Sequence, residues 1–211
     1  MTWWELVMVV AILAVFGPIL TMRIRQRRRK EREVATALAP QHGFVLDPAP
    51  LVQRLPADFS IVQVIGIRNA MSHPAHPDEL GFDLTVRVRS VPERVGAISR
   101  GSASMPNLAF AHKHNASAAL LSAPRVQIGD RDLDKHWRIT SDDPAAVHTL
   151  CDAITTAWLS TFRERFRVTE LEVRDGWLLA VRSLATTEDI PEMMEVVRAF
   201  RGHVERTMRR G

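Results

Sequence analysis

Four histidines occur as two close pairs, which is a spacing that metal sites use. Pro74 and Ala75 separate His73 from His76, and Lys113 separates His112 from His114. Two histidine pairs can in principle complete a four-ligand zinc site. Both pairs lie in or beside predicted loops, and no cysteine or carboxylate accompanies them at a fixed helical spacing. We therefore expect exposed loop histidines and no metal.

Cys151 and Ser102 are the residues that could act as nucleophiles. His148 precedes Cys151 by three positions on a predicted helix, and Ser102 lies in a loop of small residues. Cys151 falls on the apolar face of that helix, which favours a core thiol over a reactive one. A Cys/His pair also needs an orienting third group and an oxyanion site. We predict no catalytic residue, and hence no enzyme.

Three aspartates alternate in the segment GDRDLDK, at positions 130, 132 and 134. A calcium loop would require glycine at its sixth position and glutamate at its twelfth, and this segment has neither. Arg131 and Lys135 are interleaved with the acids, so we interpret the segment as a solvated turn between strands. Phosphate-binding glycine motifs are missing from the sequence, and we predict no cofactor.

The elements that must position these residues indicate an α+β domain. We predict a helix over 31–42, strands over 59–67 and 82–89, and shorter strands in 107–111, 124–128 and 136–140. Residues 70–81 and 93–105 are predicted loops.

Further along the chain, Asp143-Pro144 predicts a helix start, and the apolar spacing continues from there to Trp158. Asp175-Gly176 between two apolar runs predicts a hairpin. A last helix is expected from Thr187 to about Val204. The result is an antiparallel sheet packed with two or three helices. Residues 59–140 and 144–208 could alternatively form two lobes.

Residues 6–22, LVMVVAILAVFGPILTM, contain no charge and follow Trp3 and Trp4. With the tryptophans the stretch reaches about twenty residues, which is enough to cross a hydrocarbon core of roughly 30 Å. Positive charge follows this stretch, whereas a secretory signal carries it in front. We therefore predict a transmembrane anchor over 1–22, single-pass in the cell membrane. Its N-terminus would lie outside and the rest of the chain in the cytoplasm.

The juxtamembrane segment 23–33 holds seven of the 28 basic residues, and 21 basic and 21 acidic residues remain from position 34 onward. The domain predicted over 34–211 is therefore neutral, which argues against nucleic acid as a partner. The segment serves as a topology determinant and, next to a membrane, as a contact for anionic lipid headgroups. The predicted lipid-contact residues are Arg23, Arg25, Arg27, Arg28, Arg29, Lys30 and Arg32.

Three segments carry a resemblance to a known family. They are LAPQHGF at 38–44, IGDRDLDKHWRITSDDPAAVHTL at 128–150 and LEVRDGWLLAVRS at 171–183. Together they resemble a widespread bacterial family of uncharacterised proteins, membrane-anchored or secreted. The family pattern has aromatic residues where Leu133 and Trp137 stand here, which implies core positions. The resemblance implies the fold and topology and brings no activity.

An anchor joined to a neutral domain without catalytic motifs suggests a non-enzymatic interaction domain at the cytoplasmic membrane face. Its expected partners are the membrane, anionic lipid headgroups and another membrane protein. The alternative is a small-ligand or lipid-binding domain at the inner leaflet. A hydrolase that uses His with Ser or Cys comes third.

Overall fold

An antiparallel sheet with helices packed on it forms the body of the protein. The computed structural model describes residues 3–47, 64–86, 94–102, 104–112, 124–151 and 153–209. Its helices are α1 (Trp3–Gln41), α2 (Arg131–His136), α3 (Pro144–Leu150), α4 (Ala153–Glu164) and α5 (Ile190–Met208). Its strands are β1 (Val45–Leu46), β2 (Val64–His73), β3 (His76–Val86), β4 (Arg94–Arg100), β5 (Leu108–His112), β6 (Arg125–Val126), β7 (Trp137–Ser141), β8 (Val168–Arg174) and β9 (Trp177–Ser183).

The strands lie in the order β1-β2-β3-β4-β9-β8-β5-β7-β6, and neighbouring strands run antiparallel. The predicted α+β class is confirmed. The β8–β9 hairpin lies between β4 and β5, so the last third of the chain completes the sheet begun by the first strands. The two-lobe alternative is therefore wrong.

The hairpin turn at Asp175-Gly176 is confirmed, and its backbone shows why these residue types suit it. Both residues have positive φ, 49° and 76°. A two-residue turn of this kind follows the twist of the flanking strands and favours Asp-Gly.

Helix α5 covers the sheet over β3, β4 and β9. Its buried residues follow the helical period and include Ile190, Met193, Met194, Val197, Phe200 and Val204. A Cβ added at Gly81 of β3 would lie 2.5 Å from the side chain of Ile190. Glycine at this position thus lets α5 approach the sheet closely.

A buried carboxylate ties α5 to β3. Glu79 is 1 % exposed, and it accepts hydrogen bonds from Arg198 Nε (3.1 Å) and Nη2 (2.6 Å). Arg201 Nη2 lies 3.3 Å from the same carboxylate. These charge-assisted contacts raise the pKa of Arg198. We call Arg198 and Arg201 together with Glu79 the clamp; the two arginines compensate the charge that Glu79 has in the interior.

The loop predicted over 70–81 is wrong, because these residues belong to β2 and β3, which turn at residues 74–75. The loop predicted over 93–105 is wrong over 94–100, which form the buried strand β4, whereas the described residues after Arg100 are irregular up to β5. The polar and small residues of these segments resemble loop composition. Because cross-strand pairing on both sides satisfies the backbone of β4, the tertiary structure overrides that preference. Part of the strand predicted over 59–67 lies outside the described residues.

The helix predicted after Pro144 is interrupted at Cys151, where α3 ends and α4 follows. Leu133 and Trp137 are each 2 % exposed, which confirms them as core residues.

Helix α1 runs without a break from the uncharged stretch into the basic segment. Within the described residues, no helix combines the length and the apolar character that crossing a bilayer requires. The transmembrane helix predicted over 1–22 is therefore not supported.

Candidate functional site

Helix α1 changes character along its 39 residues, which span roughly 58 Å. In the part before the basic segment, Trp3–Met22, the described side chains are exposed apart from Gly17. We call this part the apolar half. Its exposed large apolar residues are Trp3, Trp4, Leu6, Val7, Met8, Val9, Val10, Phe16, Ile19, Leu20 and Met22. An apolar surface of this extent marks a contact with a protein or with lipid.

The other end of α1, Glu31–Gln41, packs on the sheet, and we call it the docked end. Ala35 is fully buried and Ala39 is 3 % exposed, with Leu38 packed against the same core. Glu31 Oε2 accepts a hydrogen bond of 2.7 Å from Arg68 Nη1 of β2. The sheet therefore fixes the direction in which the apolar half points.

The seven predicted lipid-contact residues lie between these two parts, on exposed positions of α1. Arg27 and Arg29 pair with the glutamates one turn on, Glu31 and Glu33, and Arg32 Nη1 lies 2.6 Å from Asp47. Arg27 and Lys30 also line a cavity. Lipid contact by this set stays a prediction.

That cavity, about 330 Å³ in volume, lies between α1 and one end of the sheet. Arg27, Lys30, Glu31 and Val34 line it from α1, and Arg68, Asp83, Leu84 and Arg94 from the strands. The segment before α5 closes it with residues 185–188. Cavities of this volume suit a small polar ligand or a headgroup.

Asp83 is a hydrogen-bonded carboxylate in the lining of the cavity. Its Oδ2 accepts hydrogen bonds from Asn69 Nδ2 (2.7 Å) and from Thr187 Oγ1 (2.9 Å). Burial raises the pKa of Asp83, and the two hydrogen bonds act in the opposite direction. This network joins β2, β3 and the segment before α5, so it gives the cavity a fixed shape.

Arg94 reaches the cavity from β4 and pairs with a buried glutamate. Its Nη1 lies 2.9 Å from Glu170 Oε1, and the two side chains are 9 % and 0 % exposed. Within the part of the chain that the structure describes, Arg94 Nε and Glu170 Oε2 have no hydrogen-bond partner. Burial raises the pKa of Glu170 to about 7, although the charge and hydrogen bond of Arg94 act against the rise. Near neutral pH, the charge of Arg94 is thus only partly compensated.

The predicted histidine pairs lie at different parts of the sheet. The rings of His73 and His76 are 5.5 Å apart at the β2–β3 turn, where they line a second cavity together with His42. His112 stacks at 6.4 Å on His136 beside β7, and His114 lies outside the described residues. No group of three or more metal-ligating side chains occurs within the described ranges.

Two of the three alternating aspartates, Asp130 and Asp134, cap backbone groups, whereas Asp132 lies 3.4 Å from His136 Nε2. Asp130 Oδ1 accepts from the backbone N–H groups of Asp132 and Leu133 at the start of α2, at 2.9 and 2.8 Å. Asp134 accepts from the N–H groups of Ile128 and Gly129. The predicted solvated turn is therefore partly wrong, because the segment forms a capped helix. The carboxylates of Asp130 and Asp134 satisfy backbone groups of the turn.

The candidate nucleophiles do not share a site with these residues. Cys151 is 8 % exposed at the end of α3, whereas His148 is exposed. Ser102 Oγ lies 2.8 Å from Ser104 Oγ in an exposed loop. Sequence reasoning missed Asp83, Arg94 and Glu170 as site residues, because a strand pattern does not show which charged side chains meet in the folded protein.

No protein-family model matches the chain, and no curated protein matches it significantly. Among solved structures, the chain is similar to the crystal structure of the mycobacterial trehalose monomycolate transport factor A, with a TM-score of 0.58. The two are 15 % identical, and the match covers 83 % of this chain and 95 % of the other. Identity this low shows a shared fold alone. Membership of the bacterial family that the sequence resembles stays a prediction.

Proposed function

We propose that the protein is a non-enzymatic lipid-binding domain that attaches to a bilayer through the apolar half of α1. The observation that carries the proposal is the row of exposed apolar side chains on a helix whose other end is docked on the sheet. Burying a large apolar side chain contributes about 1.5–3 kcal/mol, so several together provide stable attachment. Attachment requires contact with hydrocarbon and does not require a span.

The order of residues along α1 supports lipid as the partner. The basic segment follows the apolar half directly, so its arginines reach headgroups when the apolar half enters hydrocarbon. Each such charge adds about 1 kcal/mol on an anionic surface. Since the cytoplasmic leaflet carries most anionic lipid, we place the protein on the cytoplasmic side of the cell membrane.

Two further observations support a binding role without catalysis: Asp130 and Asp134 cap backbone groups, and Cys151 is buried. The similar transport factor is named for the transport of trehalose monomycolate, and its fold is compatible with a lipid-handling role for this chain.

Flotation of the full chain with phosphatidylcholine vesicles tests attachment. Phe16 and Leu20 are 61 % and 60 % exposed. The double variant Phe16→Glu, Leu20→Glu should bind vesicles about 100-fold more weakly, because a charge in hydrocarbon costs several kcal/mol. Leu184, 78 % exposed and remote from α1 in sequence, provides the matched control Leu184→Glu, which should bind as the wild type does.

Equal binding by the double variant and the wild type would contradict attachment through the apolar half. If the wild-type chain does not bind vesicles but co-purifies with a membrane protein, the partner of the apolar half is a protein and not lipid.

A further inference from the structure

The cavity between α1 and the sheet has more basic than acidic residues around it. Its lining contains four basic residues and three acidic ones. The basic residues are Arg27, Lys30, Arg68 and Arg94, and the acids are Glu31, Asp83 and Glu188. Most sites that bind phosphate collect arginine and lysine in this way, since guanidinium and ammonium groups match its charge and its acceptor oxygens.

The acids that line the cavity are already engaged with protein groups. Glu31 accepts hydrogen bonds from Arg27 at 3.0 Å and from Arg68 at 2.7 Å. Asp83 accepts from Asn69 and Thr187. Neither carboxylate is therefore free to compensate Lys30, whereas Arg94 is paired with Glu170, which is not part of the lining. Glu188, an exposed residue, is the remaining acid of the lining.

Arg94 provides the second, independent observation. The side chain is more than nine-tenths buried, it lines the cavity, and its Nε has no hydrogen-bond partner among the described residues. Arg94 forms one ion pair, with Glu170, and a buried guanidinium that is only partly paired costs free energy. The negative charge of an anion in the cavity would lower that cost.

We propose that the cavity binds a phosphate group, carried by an anionic lipid headgroup or by a small phosphate ester. The cavity volume of about 330 Å³ is large enough for a glycerophosphate. For the lipid source, the inference rests on the attachment proposed above. The apolar half would then hold the chain at the bilayer, and the cavity would select which headgroup it meets.

Titration of the full chain with glycerol 3-phosphate tests the site without a membrane, with glycerol as the neutral comparison. Lys30→Ala should weaken binding about ten-fold, because it removes a charge-assisted contact. Arg29→Ala is the matched control. It removes the same charge from the neighbouring position, but Arg29 is 83 % exposed, pairs with Glu33 and does not line the cavity. Its affinity should change less than about two-fold.

A second pair of variants should act in the opposite direction. Glu188→Gln removes the acid that repels phosphate, and we expect about two- to five-fold tighter binding of glycerol 3-phosphate. Glu164→Gln removes an exposed acid at the end of α4, 70 % exposed and outside the cavity, and should leave the affinity unchanged.

Vesicles separate the two sources of phosphate. The site is assigned to lipid if the wild-type chain prefers phosphatidylglycerol vesicles to phosphatidylcholine vesicles, and if Lys30→Ala lowers this preference more than Arg29→Ala does. Binding of glycerol 3-phosphate without that preference assigns it to a soluble ester. The proposed site is overturned if Lys30→Ala and Arg29→Ala lose the same affinity in both assays. It is also overturned if the wild-type chain binds neither glycerol 3-phosphate nor phosphatidylglycerol vesicles. Phosphatidylcholine flotation reports attachment separately, since that lipid carries no net charge.

Discussion

Helices α1 and α5 both pack on the sheet, but their apolar residues have different surroundings. In α5 the large apolar side chains are buried, with Met208 packed against the core, and two arginines clamp Glu79. In α1 the docked end is covered, whereas the described side chains of the apolar half are exposed apart from Gly17. Helix α5 thus completes its contacts within the domain, whereas α1 has an apolar surface that only something outside the domain can cover.

Removing the clamp should produce the largest effect, because α5 depends on contacts inside the domain. We expect Glu79→Ala to lower the free energy of unfolding by about 2–3 kcal/mol, since it removes the charge-assisted contacts of Arg198 and Arg201, both of which are partly exposed. Urea unfolding of the full chain measures this loss. Glu195→Ala changes an exposed acid of the same helix and should cost less than about 0.5 kcal/mol. Similar losses in the two variants would show that the clamp contributes little.

A buried carboxylate without such a clamp should make stability depend on pH. Glu170 accepts one hydrogen bond, and its pKa is raised from 4.5 to about 7. As the pH rises from 4.5 to about 7, the unfolded chain loses this proton while the folded chain keeps it, so stability falls across that window. Glu170→Gln should remove this fall, and relative to the wild type it should gain on the order of 2 kcal/mol by about pH 8.

Unfolding measured in urea at several pH values gives that difference. Parallel pH profiles for Glu170→Gln and the wild type would show that Glu170 is ionised throughout.

The docked end of α1 should tolerate less change than the rest of that helix. Ala35 is fully buried, so Ala35→Leu should cost about 1–2 kcal/mol through overpacking. Ala37→Leu places the same side chain on the exposed side of the helix and should be neutral within about 0.5 kcal/mol. Thermal unfolding of both variants makes the comparison. Equal unfolding temperatures would mean that α1 does not dock as described.

The smallest effect is expected from the ion pair that orients the docked end. Glu31→Gln weakens its contacts with Arg27 and Arg68 and should cost about 0.5–1 kcal/mol, decreasing at high salt. Glu33→Gln alters a pair with exposed partners and should cost less than about 0.3 kcal/mol. Urea unfolding at low and high salt compares them. A larger loss for Glu33→Gln would contradict the assigned role of Glu31.

Local patterns predicted the elements that depend on near neighbours. The Asp175-Gly176 turn and the last helix are confirmed, because they follow from backbone preference and from a helical period. The core positions Leu133 and Trp137, which the family resemblance implied, are also confirmed. The strands β2 and β4 were missed where their residues are small or polar. The pairing that stabilises them comes from strands distant in sequence.

The order of residues along the chain shows that an uncharged stretch precedes a run of basic residues and that the rest of the chain is neutral. That Lys30, Arg68 and Arg94 surround one cavity could be found only from the folded arrangement. Those residues come from three elements far apart in sequence, and only the packing of α1 against the end of the sheet brings their charges together.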